Sequence, residues 1–142
     1  MAIDEALLEI CEYRDEGYQP LIDYGEWRVA ILRYIDELLP ENICKMQRHD
    51  ETDEVFVLLK GRCILYIGEG DDSVTRILAQ NMEPLKLYNI KRSSWHTHTL
   101  SEDATVLIIE NRDTNINNSP EVELDQVQKS RLVELKNLLW EE

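Results

Sequence analysis

A succession of short apolar runs between residues 18 and 110, each broken by turn-forming residues, most constrains how this chain can fold. The runs are rich in Val, Ile, Leu, Tyr and Trp, and the breaks contain Gly, Pro, Asn, Asp or Ser. About nine strands are predicted, over residues 18–23, 27–35, 42–49, 54–60, 62–67, 74–79, 85–90, 95–100 and 104–110. Short strands at such regular spacing are typical of an all-β sandwich or barrel, not of an alternating α/β sheet.

Both ends of the chain carry helical signals. At the N-terminus, Asp4 can cap a helix whose apolar residues fall on one side, so a helix is predicted over residues 4–16. Near the C-terminus, Asp125 and Gln128 have the spacing of a capping box, and leucines follow at helical intervals over residues 126–139. We expect both helices to cover the outside of the barrel without taking part in the functional site.

Length and charge restrict the possible partners. The chain has 142 residues, which suits a single domain over residues 1–142. Its formal net charge of −14 argues against binding nucleic-acid backbones or anionic membranes, since both attract clusters of Lys and Arg. No apolar run approaches the length of a membrane span, and three separated cysteines without a secretory signal indicate reduced thiols. We therefore expect a cytoplasmic protein with a small-molecule ligand.

The three histidines of the chain all fall in predicted strands beside polar turns. Alternate side chains of a strand share a face, so Gln47 and His49 point the same way. His96 and His98 share a face for the same reason, and two imidazoles at this spacing are a familiar source of metal ligands. Glu54 opens the strand that follows His49, and from there its carboxylate can reach over the same space.

The segment around His49 resembles the first sequence motif of the cupin superfamily, which runs His-x-His, three or four residues, Glu, six residues, Gly. The matching residues here are Gln47, His49, Glu54 and Gly61. The segment around His96 is similar to the second cupin motif, Pro-x-Gly-x-x-His-x-x-x-Asn, of which it keeps the histidine. The resemblance covers about residues 18–112 and excludes both terminal helices.

This resemblance implies a cupin double-stranded β-helix, a jelly-roll barrel that often forms dimers. It also implies one divalent metal ion, held in this chain by His49, Glu54 and His96. Gln47 replaces the first histidine of the family motif and is a weaker, neutral oxygen ligand, while His98 could substitute for the lost imidazole. A mixed set of His, carboxylate and amide ligands suits Fe(II), Mn(II), Ni(II) or Zn(II).

Three functions stay open at this point. The first is a metal-dependent enzyme that polarises a carbonyl group or activates oxygen. The second is a metal-free enzyme, such as a sugar epimerase or isomerase, in which a histidine acts as the base and a tyrosine as the acid. The third is a non-catalytic module that binds a metabolite. A fold of this kind hosts unrelated chemistries, and no motif in the chain identifies the substrate.

A homodimer or higher homo-oligomer is expected on separate grounds. A small barrel has exposed strand edges, and proteins commonly protect such edges by pairing with a second copy. The terminal strands, near residues 18–35, are the expected contact region.

Overall fold

The computed structural model describes residues 1–141, in which ten β-strands are followed by one α-helix. The strands are β1 (Gly17–Tyr24), β2 (Trp27–Arg33), β3 (Lys45–Gln47), β4 (Glu54–Lys60), β5 (Cys63–Glu69), β6 (Arg76–Asn81), β7 (Leu87–Ile90), β8 (Trp95–Leu100), β9 (Thr105–Asn111) and β10 (Glu121–Glu123). Helix α1 spans Gln126–Leu139, and two single-turn 3-10 helices, Asp36–Leu38 and Pro40–Asn42, lie between β2 and β3.

The strands form two five-stranded antiparallel sheets. The first sheet has the order β1-β2-β9-β4-β7, and the second has the order β10-β3-β8-β5-β6. Strands that are distant in sequence therefore pair with each other, as β2 does with β9 and β3 with β8. This confirms the predicted all-β fold, with the strand pairing of a jelly-roll barrel.

The inward faces of the two sheets enclose the main core. Side chains alternate along each strand, so that Val106 and Ile108 of β9 are buried while Leu107 between them faces outward. The buried members of this core are Ala30, Leu32, Phe56, Leu58, Cys63, Leu65, Met82, Ile90, Leu100, Ala104, Val106 and Ile108. Gly61 makes the turn between β4 and β5 with φ of +76°, and a Cβ there would lie 2.6 Å from the Cα of Ala104. The turn therefore requires glycine.

Helix α1 covers the outer side of the second sheet. Asp125 and Gln128 form the predicted capping box, in which each side chain accepts a hydrogen bond from the other residue's backbone N–H. Leu132 and Tyr66 are fully buried at this contact, and the Tyr66 hydroxyl donates to the Leu132 carbonyl at 3.0 Å. In the part of the chain that the structure describes, no helix has the length and apolar content of a membrane span.

The predicted N-terminal helix does not form. Residues 4–16 contain only a single turn, in which Asp4 accepts hydrogen bonds from the backbone N–H groups of Ala6 and Leu7. Leu7 and Ile10 are 83% and 85% exposed, so the apolar stripe has no surface to pack against. A helix of this length is marginal without such packing, and an N-terminal cap alone cannot propagate it.

Most predicted strands appear within about two residues of their expected ends, as is usual for element boundaries. The strand predicted over residues 42–49 is the exception, because only Lys45–Gln47 is extended and paired. Pro40–Asn42 instead forms a 3-10 turn before it, where proline occupies the first helical position. His49 therefore lies beyond the end of β3, and the alternation that placed it beside Gln47 does not apply to it.

Candidate metal centre

A cavity of about 690 Å³ opens into the barrel and is lined by both sheets. Part of its wall is apolar and includes Leu32, Phe56 and Ile108, whose side chains also belong to the core. Another part carries polar and ionisable side chains, among them the five residues that the sequence singled out: Gln47, His49, Glu54, His96 and His98.

Three of these residues converge on one point. The Glu54 Oε1 atom lies 3.0 Å from His96 Nε2 and 3.3 Å from His49 Nε2. The two imidazole ring centres are 5.1 Å apart, and one ligand atom from each of the three residues lies within 4.8 Å of the others. All three side chains are buried. The structure thus brings His49, Glu54 and His96 together as the sequence motifs indicated.

Different elements position the three side chains. Glu54 is the first residue of β4, and His96 is the second residue of β8. His49 lies in the loop after β3, and its carbonyl accepts a hydrogen bond of 2.8 Å from the backbone N–H of Ser93. Because Ser93 precedes β8, this bond ties the loop that carries His49 to the strand that carries His96.

The outer nitrogen of each imidazole has its own partner. His96 Nδ1 lies 3.0 Å from the Ser94 carbonyl oxygen, to which only a protonated nitrogen can donate. His49 Nδ1 lies 2.7 Å from the Ser119 hydroxyl oxygen. Such contacts fix the ring planes and leave each Nε2 atom directed at Glu54. Histidines that bind metals are commonly oriented in this way.

Glu110 is a further acidic member of the site that sequence reasoning missed. Its Oε1 atom accepts hydrogen bonds from the Tyr18 hydroxyl at 2.7 Å and from Arg28 Nη2 at 2.6 Å. Its Oε2 atom lies 3.9 Å from His49 Nε2. Val55 pairs with Ile109 where β4 and β9 run antiparallel. Glu54 and Glu110 are the next two residues opposite each other in this pairing, so their carboxyl groups lie close together.

A sequence signal for Glu110 existed. In the predicted strand over residues 104–110, Glu110 shares a face with Val106 and Ile108, and both of these are apolar. An acidic side chain at the end of an inward-facing apolar series is buried, and a buried charge is costly unless another group pairs with it. Such a residue therefore indicates an ion pair or a functional site. Arg28 has the same place on β2, on the face of Ala30 and Leu32, and it pairs directly with Glu110 across the sheet.

Burial and neighbouring charges move the pKa values in this group in opposite directions. Burial raises the pKa of Glu110 to about 7, and the adjacent Glu54 carboxylate adds to this effect. Burial also opposes ionisation of Glu54, but the close approach of the His49 and His96 imidazoles outweighs it and holds the Glu54 pKa well below its usual value. For His49, burial favours the neutral ring, yet the contact with Glu54 raises the pKa above its ordinary value.

Gln47 and His98 line the cavity without belonging to this group of three. Gln47 lies opposite His96 in the pairing of β3 with β8. His98 is two residues beyond His96, and its ring packs against Phe56 with the ring centres 5.4 Å apart. Burial lowers the pKa of His98 to about 4, so this ring is neutral at physiological pH.

The atoms at the convergence point fit a divalent cation. Among residues 1–141, His49 Nε2, Glu54 Oε1, His96 Nε2 and Glu110 Oε2 are buried side-chain atoms without an aligned hydrogen-bond partner. Leaving a buried polar atom unpaired costs about 1–3 kcal/mol, so a cluster of such atoms calls for a ligand. Two imidazole nitrogens and a carboxylate oxygen form a donor set that first-row divalent metals accept.

Comparison with known proteins finds similarity in structure alone. No protein-family model matches the sequence, and no curated protein matches it significantly. A cupin-2 domain protein from Shewanella frigidimarina is 17% identical, with a TM-score of 0.50 over 70% of this chain and 85% of that protein.

Two enzyme-related structures are similar as well. Streptomyces Pac13, described as a nucleoside dehydratase and solved with uridine, is 10% identical, with a TM-score of 0.54 over 83% of this chain and 86% of Pac13. CapF, a capsular polysaccharide assembling protein from Staphylococcus aureus, is 17% identical, with a TM-score of 0.56 over 86% of this chain. The match spans 34% of CapF. With two five-stranded sheets and these neighbours, the chain has the fold of the cupin superfamily.

Proposed function

We propose that the chain is a metal-dependent enzyme that acts on a small, uncharged molecule bound in the cavity. The observation that carries this proposal is the convergence of unpaired ligand atoms from His49, Glu54 and His96 on one buried point. The cavity volume of about 690 Å³ supports a ligand of metabolite size, since small-molecule sites commonly range from about 300 to 1,000 Å³.

His49 and His96 would hold the ion through their Nε2 atoms and Glu54 through Oε1. A bound Fe, Mn, Ni or Zn ion supplies Lewis-acid chemistry and, in the case of iron, redox chemistry. The protein contributes the orientation of the ligands, because Ser94 and Ser119 occupy the outer nitrogens of the two rings. Burial of the three side chains keeps water from competing for the same donors.

Glu110 is the residue that we assign to proton transfer. Tyr18 and Arg28 hold its Oε1 atom, so Oε2 is the oxygen left to face the ligand. In the metal-free fold, burial raises its pKa to about 7, which leaves both the acid and the carboxylate populated at neutral pH. A group with such a pKa can take a proton in one step and return it in another.

The charges around the cavity favour an uncharged ligand. Among the described residues that line it, the two permanently cationic side chains are Arg28 and Lys45. Arg28 contacts Glu110 and Lys45 contacts Glu121, each at 2.6 Å. Each cation is thus neutralised by a carboxylate of the chain itself, which disfavours a phosphate or a carboxylate as ligand, while the apolar wall favours a ligand with an apolar body. The uridine held by Pac13 lends support to a ring-sized ligand in this fold.

Metal content is the direct test. Protein purified without a histidine tag should contain about one divalent ion per chain, measured by inductively coupled plasma mass spectrometry. His49→Ala and His96→Ala should each lose the ion, because one imidazole and one carboxylate cannot replace the full set. His98→Gln is the matched control: it removes a histidine of the same cavity that lies outside the group of three, and it should keep the ion.

The proposal fails if wild-type protein carries no ion and binds none of Fe(II), Mn(II), Ni(II) or Zn(II) in a titration. It also fails if His98→Gln loses the ion while His49→Ala retains it. For the ligand class, a thermal-shift screen of metabolites should return mainly uncharged compounds, and their effect should disappear in His49→Ala. A screen dominated by phosphorylated compounds would contradict the charge argument.

A metal-free acid–base enzyme is the second candidate, and the Glu54–Glu110 pair favours it. The two neighbouring carboxyl groups have pKa values that move apart, which is the usual arrangement of a base and an acid. The Tyr18 hydroxyl, bonded to Glu110, could take part as well. This candidate predicts an intact fold and an unchanged reaction after exhaustive chelation, whereas the metal-dependent enzyme would lose activity.

A further inference from the structure

His49 is the member of the candidate metal centre that strand pairing does not hold in place. Among residues 1–141, β3 pairs with β8 only where Gln47 lies opposite His96, and His49 follows beyond that pair. Backbone hydrogen bonds between strands fix the position of His96 relative to its neighbours. The distance between the two imidazoles therefore depends on further contacts of the segment that carries His49.

The residues that precede the two histidines contact each other. Arg48 precedes His49, and Trp95 precedes His96. The guanidinium carbon of Arg48 lies 4.7 Å from the centre of the Trp95 ring, a distance at which a cation is attracted to an aromatic face. Trp95 is 3% exposed and belongs to the core beneath α1, so its ring is a firmly packed surface for the guanidinium. This stack joins the segment of His49 to the strand of His96.

One carbonyl oxygen binds both members of the stack. The Asp71 carbonyl accepts a hydrogen bond of 2.9 Å from Arg48 Nη1 and another of 2.9 Å from Trp95 Nε1. Asp71 lies in the turn between β5 and β6, where Gly70 has φ of +125° and a Cβ would lie 1.9 Å from the Ser73 carbonyl oxygen. The turn that presents the Asp71 carbonyl therefore requires glycine. We call Arg48, Trp95 and the Asp71 carbonyl the clamp.

Asp50, on the other side of His49, makes a second link to the segment before β8. Its Oδ1 atom accepts a hydrogen bond of 2.8 Å from the Ser93 hydroxyl and lies 3.1 Å from Arg48 Nε. The Ser93 backbone N–H donates to the His49 carbonyl at 2.8 Å. The residues on both sides of His49 are thus bound to the segment that leads to His96.

We propose that Arg48 and Trp95 are positioning residues of the metal centre. Side chains alternate along β8, so Trp95 packs beneath α1 while His96 lines the cavity. The clamp acts from that outer side, through the backbone, and sets the separation at which both Nε2 atoms can reach one ion. Contacts behind metal ligands commonly control metal affinity in this way. The inference rests on the proposed metal site and adds the contacts that assemble it.

Binding of Co(II) to the full chain tests the proposal, because the visible absorption of this ion depends on the geometry of its ligands. Arg48→Met keeps an apolar stem and removes the guanidinium. It should weaken Co(II) binding about 10- to 100-fold, as the loss of contacts behind metal ligands commonly does. Gly70→Ala should act in the same direction, since it displaces the Asp71 carbonyl. The Co(II) spectrum should change in both variants.

Two variants are matched controls. The guanidinium carbon of Arg62 lies 4.8 Å from the centre of the Trp140 ring, so Arg62→Met disrupts a stack of the same kind. Arg62 follows the last residue of β4, at the opposite end from Glu54, and the variant should keep the wild-type affinity and spectrum. Asp71→Ala retains the backbone carbonyl and should also bind Co(II) as wild type does.

A measurement on the metal-free protein adds a readout that does not depend on the ion. The Ser93 amide hydrogen is bonded to the His49 carbonyl, and its exchange with solvent should be about tenfold faster in Arg48→Met than in wild type or Arg62→Met, measured by NMR. Unchanged exchange in a folded Arg48→Met variant would overturn the proposal. If Arg48→Met does not fold, Gly70→Ala carries the same expectations.

The outcomes distinguish the clamp from the metal site itself. Wild-type protein that binds no Co(II) would refute the metal site. Wild-type protein that binds Co(II), together with a folded Arg48→Met variant of equal affinity, would refute the clamp alone. Equal losses of affinity in Arg48→Met and Arg62→Met would also refute it, because they would reflect a general weakening of the fold.

Discussion

The two ends of the inner barrel strands bury very different side chains. Along the inward faces of three strands, one end is ionisable and the other is apolar. The ionisable and apolar ends are Glu54 and Leu58 in β4, His96 and Leu100 in β8, and Glu110 and Val106 in β9. At the apolar end every one of these side chains packs into the main core. At the ionisable end, Glu54, His96 and Glu110 each have a buried side-chain atom without an aligned hydrogen-bond partner within the described chain.

This contrast separates what holds the barrel together from what it does. Burial of apolar side chains stabilises the fold by about 25 cal/mol for each Å² removed from water. Buried unpaired polar atoms act in the opposite direction, by about 1–3 kcal/mol each. The same strands therefore stabilise the fold at their apolar end and lower its stability at their ionisable end. Substitutions at the two ends should differ in kind, and the variants below test this.

Leu58→Ala, at the apolar end, should destabilise the protein most. Leu58 is 1% exposed within the main core, and removing a buried leucine side chain costs about 2–5 kcal/mol. Urea unfolding measures the loss. Metal stoichiometry should be unchanged in this variant, because Leu58 lies four positions from Glu54 along the strand. A variant that loses its metal but not its stability would show that the two ends are not separate.

Glu110→Gln should change how the stability of the metal-free protein depends on pH. The Glu110 pKa is about 7 in the fold, above its ordinary value of 4.5, so ionisation is harder in the folded than in the unfolded chain. The wild type therefore loses stability from this group as pH rises, by about 2 kcal/mol between pH 5 and pH 7. The amide of the variant cannot ionise and lacks this loss. The difference in the free energy of unfolding between wild type and variant should therefore fall from pH 5 to pH 7, as measured by urea unfolding with a chelator present. Equal slopes would contradict the raised pKa.

His98→Gln should change the pH dependence of the free energy of unfolding in the direction opposite to Glu110→Gln. The His98 pKa is about 4 in the fold and 6.5 ordinarily, so acid protonates the unfolded chain first. The wild type therefore loses stability from His98 as pH falls, by slightly less than about 2 kcal/mol between pH 7 and pH 5. The variant should lack this loss in the unfolding experiment used for Glu110. Because the two groups act oppositely, their combined contribution to the stability of the wild type should change little between pH 5 and pH 7.

Gln47→Ala should have the mildest effect. Gln47 lines the cavity opposite His96, and a neutral amide oxygen is a poorer donor to late divalent metals than an imidazole. Metal affinity should fall less than about tenfold, or about 1.4 kcal/mol, in competition with a fluorescent chelator. Gln47→His should raise the affinity instead. A loss as large as that of His49→Ala would make Gln47 a principal ligand.

Much of this arrangement could be predicted from residues close together in sequence. The spacing of apolar runs and turns located nine of the ten strands, although β3 is shorter than predicted, and the capping residues Asp125 and Gln128 located the start of α1. His49, Glu54 and His96 could be grouped because the two cupin-like motifs carry them at characteristic spacings. Strand alternation and helix capping are properties of a few consecutive residues, and local sequence is sufficient to specify them.

Other features depended on contacts between residues distant in sequence. Residues 4–16 had a helical pattern, but Leu7 and Ile10 are largely exposed and pack on no described surface of the barrel, so the helix does not form. Glu110 joined the site only because β9 pairs with β4 on one side and with β2 on the other, which places it between Glu54 and Arg28. His98 has the same face as His96, yet packing against Phe56 holds its ring outside the group of three.

The sequence by itself determined which side chains share a face, since alternation along a strand is fixed by backbone geometry. Only the tertiary structure decided which faces meet, because strand pairing across the barrel depends on how the whole chain buries its apolar surface. For this protein, that pairing placed two carboxyl groups and two imidazoles around one buried point. It also placed α1 over the outer side of the second sheet.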